Sequence, residues 1–484
     1  MRSIRLLCAM TWCAVPLTAA AQPTSRRPNI LVCIADDWSF PHAGAYGNKA
    51  ARTPTFNRLA SEGAVFTNAY CAAPSCTPSR GAILTGQAPH RLAEGGDLWG
   101  TLPARFAVYP DLLEESGYVV GHTRKGWGPG LIEPGGRTRN PAGPHFKDFR
   151  TFLETVPADR PFCFWFGSYD PHRPYEEGSG RAAGFDPAHV KVPPFLPDVP
   201  EVRSDLCDYY REVQRFDREV GELLGALEEA GRSSETIVVM TSDNGLPFPR
   251  AKANLYDAGT RMPLAIRWPG IVQAGRRLDT FVSLADLAPT FLEGAGVAIP
   301  AEMTGKSLVG LLKGETSVHR DCVYLERERH AYVRAGLAGY PMRAVRTDEF
   351  LYIRNWLPDR WPAGDPFLPV KNMTYGDIDG SPTKAFILEH KNEPDFRRFF
   401  ELACAKRPAE ELYVLSRDPN QMINLAEQAA YAEIKKSLSE QLAQWMTRTN
   451  DPRASGGGDL FDRYPYYGQG EPKPKQSRKP KAGQ

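Results

Sequence analysis

The sequence predicts an α/β sandwich built on a mostly parallel central sheet, followed by a smaller α+β domain with an antiparallel sheet. Three observations carry that expectation. The first is a set of short apolar runs, Ile30–Ala35, Tyr118–Val120, Phe162–Phe166 and Ile237–Met240, each followed by a polar cluster. Uninterrupted apolar strands belong to parallel sheets covered on both faces. The second is the helical patterning between them, over 111–116 and over 209–230, where Gly231 stops it; strand–helix alternation is the mark of an α/β fold. The third is a change of character after Arg343. There "MRAVRTDEFLYIRNW" and "ELYVLSRDPNQMINLA" read as a strand and a strand–turn element, separated by a Pro/Trp/Gly-rich loop over 357–384.

The ends of the chain read differently. Arg2 and Arg5, the apolar stretch Leu6–Ala21 and the small residues Ala19, Ala20 and Ala21 predict a signal peptide over 1–21, hence a periplasmic or secreted protein. Pro16 and the short apolar length argue against a membrane anchor, and no later run is long enough to span a bilayer. The expected domains are a catalytic domain over 26–342, a C-terminal subdomain over 343–460 and a basic disordered tail over 461–484. A chain of 484 residues has ample length for a large core. A net charge of +2 gives no argument for nucleic acid as a partner. Nine cysteines include Cys8 and Cys13 in the leader, leaving an odd number: Cys33, Cys71, Cys76, Cys163, Cys207, Cys322 and Cys404. Cys33 and Cys163 sit inside apolar runs and read as core. No spacing of cysteine or histidine suggests zinc.

In open parallel sheets ligands gather at the carboxyl ends of the strands. Asp36–Asp37, Lys125, Asp170 with His172, and Asp243–Asn244 all follow apolar runs. Turn chemistry alone would place each there; all four together point to one shared site. Asp36, Asp37, Asp243 and Asn244 offer only hard oxygen ligands, which select Ca²⁺ or Mg²⁺ over zinc. Neighbours on a strand point to opposite faces, so Asp36 and Asp37 converge only past the strand end. In "APSCTPSRGAILTG", Thr77 is the expected N-cap, Pro78 suits the first helical position and Gly86 ends the helix. Cys76 then lies at the positive helix end, with Arg80 reaching back over the same turn. The plain alternative is a small buried cysteine before an ordinary helix. Arg80, Lys125, Lys252 and His172 would make a cationic pocket for a tetrahedral oxyanion, with His172 as general acid.

"CTPSRGAILTG" resembles the signature of the type I (formylglycine-dependent) sulfatases, C-x-P-S-R followed by a short helix ending in T-G. "PNILVCIADD", "TSDNG", "KANLYDAGTRMPLAIRWPG" and "ELYVLSRDPNQMINLA" extend the similarity from Pro28 to the end of the second domain. The resemblance implies an alkaline-phosphatase-like sandwich. It implies that a formylglycine-generating maturation enzyme oxidises Cys76 to an aldehyde, whose hydrate attacks sulfur and then expels sulfate by re-forming the carbonyl. It implies that Asp36, Asp37, Asp243, Asn244 and the modified Cys76 hold Ca²⁺, with Mg²⁺ as the alternative. Arg80 would steady the diol, Lys125 and Lys252 would bind sulfate oxygens of a sulfated saccharide, and His172 would protonate the leaving atom.

One departure stands out. Many sulfatases read K-W-H where this chain has Lys125-Gly126-Trp127, so their second histidine is absent. Within the family, "GWGPG", "DPHRP", "PFPRAKANLYDAGT" and "YGDIDGSPTKAF" are similar to the N-sulfoglucosamine sulfohydrolase (heparan N-sulfatase) branch. That branch cleaves the N–S bond of terminal N-sulfated glucosamine, and an acid at His172 suits a departing amine. The alternatives are an O-sulfatase on another sulfated polysaccharide, a phosphonate or phosphate monoester hydrolase, and a catalytically silent glycan-binding protein. An oxygen-only ligand set speaks against a two-zinc phosphatase. Trp99, Trp127, Tyr169 and Trp361 offer rings for stacking on sugars, the plainer reading of each being a core or rim aromatic, and Arg173 and Arg360 offer charge to carboxylates or further sulfates, the plainer reading being solvated surface.

Overall fold

Alternate residues of the first strand, β1 (Asn29–Ala35), enter different cores: Ile30, Val32 and Ile34 one, Leu31, Cys33 and Ala35 the other. A strand buried on both faces needs cover on both, and this computed structural model, which describes residues 27–468, supplies it. The expected signal segment and the chain beyond Gly468 lie outside the described residues. In chain order the further strands are β2 (Ala64–Tyr70), β3 (Val119–Arg124), β4 (Phe162–Gly167), β5 (Thr236–Ser242), β6 (Arg261–Arg267) and β7 (Arg276–Ser283). They join β1 in one sheet of order β3-β4-β1-β5-β6-β2-β7. β3, β4, β1 and β5 run parallel; β6 lies antiparallel between β5 and β2. The helix Cys76–Thr85 covers one face through Ile83 and Leu84, and the helix Pro200–Glu229 covers the other through Leu206, Val213, Phe216 and Val220.

A second sheet is antiparallel, of order β11-β10-β9-β8, made of β8 (Cys322–Arg327), β9 (Met342–Thr347), β10 (Phe350–Asn355) and β11 (Glu410–Val414). Several expectations need correction here. "MRAVRTDEFLYIRNW" is a hairpin rather than one strand, turning at Asp348–Glu349. The small sheet begins with β8, ahead of Arg343, where the sequence changes character. The long helix starts at Pro200 instead of Tyr209 because acidic residues on its inner face hide the apolar period: Asp205 pairs with Arg173, and Asp208 accepts the Gly178 and Gly180 N–H groups. The tail expected from residue 461 is ordered at its start, where Phe461 and Tyr466 are buried. All seven cysteines of the described residues are buried, unpaired thiols, Cys33 and Cys163 among them.

Buried charge ties the segment after the helix Cys76–Thr85 to the small sheet. His90, just past the helix Cys76–Thr85, meets Glu326 of β8 at 2.9 Å and the Thr449 carbonyl at 3.2 Å. Arg343 of β9 pairs with Asp451 at 2.6 Å and Glu328 at 2.8 Å. Among the described residues no helix is long and apolar enough to cross a membrane.

Candidate active site

Four strand ends form the floor of the site. β1 and β5 run level, Ala35 opposite Ser242, while Gly167 of β4 lies opposite both Ile34 and Arg124. The chain therefore leaves the sheet along one edge at Asp36, Lys125, Ser168 and Asp243. Backbone bonds fix those exits: Asp36 N–H to the Asp170 carbonyl at 2.9 Å, Asp243 N–H to Ala35 at 3.1 Å, Lys125 N–H to Gly167 at 3.0 Å. Gly167 has to be glycine, since a Cβ there would lie 1.7 Å from the Lys125 carbonyl oxygen.

Asp37 solves the problem of adjacent carboxylates. Its φ of 78° puts it in the left-handed region, which Asp tolerates better than most residues, and the turn brings both acids to one side. Ligand atoms of Asp36, Asp37 and Cys76 all lie within 4.8 Å of one another. Cys76 is the first residue of its helix; Ser75 holds the N-cap position, not Thr77, and makes no capping bond. Thr77 instead donates its hydroxyl to the Pro129 carbonyl, and Ser75 Oγ meets His330 Nδ1 at 2.8 Å. Gly86 ends the helix in the left-handed conformation, as expected. The Cys76 thiol donates to Asp36 Oδ1 at 3.4 Å, and Asn244 Nδ2 approaches its sulfur at 3.8 Å.

Three cations close around this acidic core. Arg80, wholly buried, pairs with Asp243 at 2.7 Å and donates to the carbonyls of Lys125 and Gly126 at 2.9 and 3.1 Å. Lys125 Nζ lies 2.5 Å from Asp36 Oδ2. Lys252 Nζ lies 2.7 Å from Asp37 Oδ2 and 3.2 Å from Asp379 Oδ2. His172 donates Nδ1 to the Arg173 carbonyl, which turns Nε2 toward Asp37 Oδ2 at 3.9 Å. Burial opposes ionisation of Asp36, but Lys125, His172, Arg80 and Lys252 outweigh it and hold its carboxyl well below the usual range. Asp37 goes the other way: burial, with Asp36 and Asp243 nearby, overrides Lys252 and His172 and raises it. Burial likewise pushes the Cys76 thiol up.

The structure thus brings all the sequence-expected groups together: Asp36, Asp37, Cys76, Arg80, Lys125, His172, Asp243, Asn244 and Lys252. The donor set fits a hard divalent cation. Asp37 Oδ1 and Asn244 Oδ1 are buried without a hydrogen-bond partner, a costly state that a cation would relieve. Above the core opens a cleft of about 640 Å³, bordered by Trp99, Lys125, Asn140, Tyr169, His172 and Arg215.

Other expectations fare differently. Trp127 is buried, its Nε1 lying 3.7 Å from where a Cβ on Gly81 would sit, and it also lines the cleft. Trp361 packs on Tyr375, away from the cleft. Arg173 is buried against Asp205, and Arg360 pairs with Asp462, so each has a protein partner. The sequence reading missed three neighbours: His330, Arg215 (paired with Asp170) and Asp379. Asp379 lies in the quoted stretch "YGDIDGSPTKAF", but nothing in that loop distinguishes it from a turn aspartate.

A profile of the sulfatase family matches residues 28–129 and 143–297, and one described as "N-sulphoglucosamine sulphohydrolase, C-terminal" matches residues 250–363. The chain is 30% identical to human N-sulphoglucosamine sulphohydrolase over 92% of its own length and 95% of that protein's. It is 27% identical to an ulvan-active sulfatase of Formosa agariphila, covering 88% and 81%. Among solved structures, BT4656 in complex with its substrate D-glucosamine-2-N,6-O-disulfate superposes with a TM-score of 0.62 at 21% identity, covering 88% of this chain and 98% of that one. The phosphonate monoester hydrolase of Agrobacterium radiobacter shares the fold equally, with a TM-score of 0.62 at 18% identity over 89% and 97%.

Proposed function

The chain belongs to the sulfatase family, hydrolases of sulfate esters and sulfamates, and on that premise we propose that it removes the N-sulfate of glucosamine in heparan-type saccharides. The observation that carries the subtype is the likeness to N-sulphoglucosamine sulphohydrolase along nearly the whole of both chains. It is supported by the C-terminal profile, whose span holds Lys252 and His330.

Asp36, Asp37, Asp243, Asn244 and residue 76 would hold a Ca²⁺ ion, which supplies positive charge for a sulfate oxygen and lowers the proton affinity of an oxygen beside it. Cys76, once oxidised to formylglycine, would supply an aldehyde hydrate as the sulfuryl acceptor, with release built into its chemistry. The remaining work belongs to the chain's own side chains. Lys125, which borders the cleft, offers its ammonium to the sulfate oxygens, and Lys252 does the same from the Asp37 side. Arg80 keeps both strand ends in place through Asp243 and the Lys125 carbonyl. His172, with Nδ1 committed to the Arg173 carbonyl, carries the transferable proton on Nε2 and delivers it to the departing nitrogen.

The test is a substrate panel of N-sulfoglucosamine, 6-O-sulfated N-acetylglucosamine, an aryl sulfate and an aryl phosphate. N-sulfoglucosamine is expected to be turned over with the highest kcat/KM. Dominant turnover of the 6-O-sulfate would favour the O-sulfatase reading, which the 27% identical ulvan-active relative keeps open; dominant phosphate turnover would overturn both. The proposal includes export, carried by the leader expected over 1–21, and cell fractionation checks it.

A further inference from the structure

Asp379 stands apart from the groups treated so far. It comes from the loop before the helix Pro382–Glu389, beyond both matched family profiles, yet its carboxylate reaches Lys252 and His172. Its ligand oxygen lies within 4.8 Å of those of Asp37 and His172. Lys252 already has Asp37 as a counter-ion at 2.7 Å, so Asp379, at 3.2 Å, adds a second negative charge beside it. The Asp379 side chain is 29% exposed while that of Asp37 is fully buried. One carboxylate therefore faces inward and the other outward, flanking His172.

The chemistry of the leaving group gives that second charge a purpose. Sulfamate hydrolysis is R–NH–SO₃⁻ + H₂O → R–NH₃⁺ + SO₄²⁻. The S–N bond breaks with its electron pair going to nitrogen, which takes one proton from His172 to become R–NH₂ and a second, drawn from the water consumed, to end as the ammonium R–NH₃⁺. Hydrolysis of an ester, R–O–SO₃⁻ + H₂O → R–OH + SO₄²⁻ + H⁺, leaves a neutral hydroxyl. Only the first reaction builds positive charge on the leaving atom, and fixed negative charge placed beside that atom is selective for it.

We propose that Asp379 is a specificity-determining residue whose carboxylate, set beside His172, favours a departing amine over a departing hydroxyl. The inference rests on the N-sulfatase reading above and deepens it. The experiment compares wild type with Asp379→Asn and Asp379→Glu on N-sulfoglucosamine and on an aryl sulfate. Asp379→Asn is expected to lower kcat/KM for N-sulfoglucosamine by about thirtyfold while leaving the aryl sulfate within about threefold. Asp379→Glu should recover most of the loss. A second readout is product inhibition: glucosamine should inhibit Asp379→Asn about tenfold more weakly than wild type, with sulfate inhibition unchanged. Equal losses on both substrates, or unchanged inhibition by glucosamine, would mean that Asp379 only braces Lys252 and would overturn the inference alone. A wild-type enzyme active on the aryl sulfate but inert toward N-sulfoglucosamine would overturn the N-sulfatase reading and this inference with it.

Discussion

Arg80→Lys isolates geometry from charge. The guanidinium makes three directed bonds that no single ammonium reproduces: to Asp243 at 2.7 Å and to the carbonyls of Lys125 and Gly126 at 2.9 and 3.1 Å. A lysine keeps the positive charge and at best one of these contacts. Two lost bonds from a charged donor, at about 1.5–3 kcal/mol each, amount to about 3–6 kcal/mol, within the ~5–15 kcal/mol that folded domains command. The variant should therefore fold, with a clearly lowered urea midpoint. The effect on rate is separate. Freed from Arg80, the Lys125 backbone no longer presents its ammonium at a fixed position, and loss of one preorganised electrostatic contact costs about 10²–10³-fold in kcat. The assay is kcat/KM on an aryl sulfate beside urea unfolding followed by fluorescence. Activity within threefold of wild type and an unmoved midpoint would refute the reasoning, because the fork would then be carrying neither the fold nor the site.

Cys76→Ala should retain the wild-type unfolding midpoint to within about 1 kcal/mol and show no turnover; mass spectrometry of the tryptic peptide spanning 59–80 should find an aldehyde at position 76 in wild type from a host with a maturation enzyme. Asp243→Ala should abolish turnover, and a chelator should inhibit wild type reversibly, with Ca²⁺ restoring the rate. Asp286 governs an acid limb away from the site. Burial alone would raise its carboxyl, but Arg320 and His319 outweigh burial and hold it well below its ordinary 3.8. Its stabilising contribution is thus complete above about pH 4 and lost as pH falls further. Asp286→Asn should destabilise by about 3–5 kcal/mol at pH 7 by leaving Arg320 without its partner. Denaturant midpoints at pH 7 and pH 3 should show a smaller gap between variant and wild type at pH 3.

Much of this site could be read before any coordinates. Asp36, Asp37, Lys125, Asp243 and Asn244 each follow an apolar run within one to five residues, so the rule that parallel strands present ligands at their carboxyl ends placed them together. Cys76 and Arg80 were legible from a helix start. Asp379 and His330 were not, because they reach the site from loops with no periodic frame, and only tertiary packing brings them to Lys252 and Ser75. The same limit applies to the fold. β1, β3, β4 and β5 announced themselves as unbroken apolar runs. β2 and β7, with polar residues such as Thr67, Asn68 and Asp279 among the apolar ones, did not. The inner acids of the helix Pro200–Glu229 masked its first turns, since a buried carboxylate satisfied by Arg173 or by backbone N–H groups looks like a surface residue in sequence.

The latch of His90, Glu326, Arg343 and Asp451 bears on how the molecule fails. It joins the loop after the helix Cys76–Thr85 to two strands of the small sheet and to the stretch beyond the helix Ala432–Arg448. Opening any one member strands a charge in a dry interior, so the layers have no inexpensive way to separate. Calorimetry should record one endotherm for the whole body, and a protease that nicks ahead of residue 451 should silence the enzyme from the far side of the molecule.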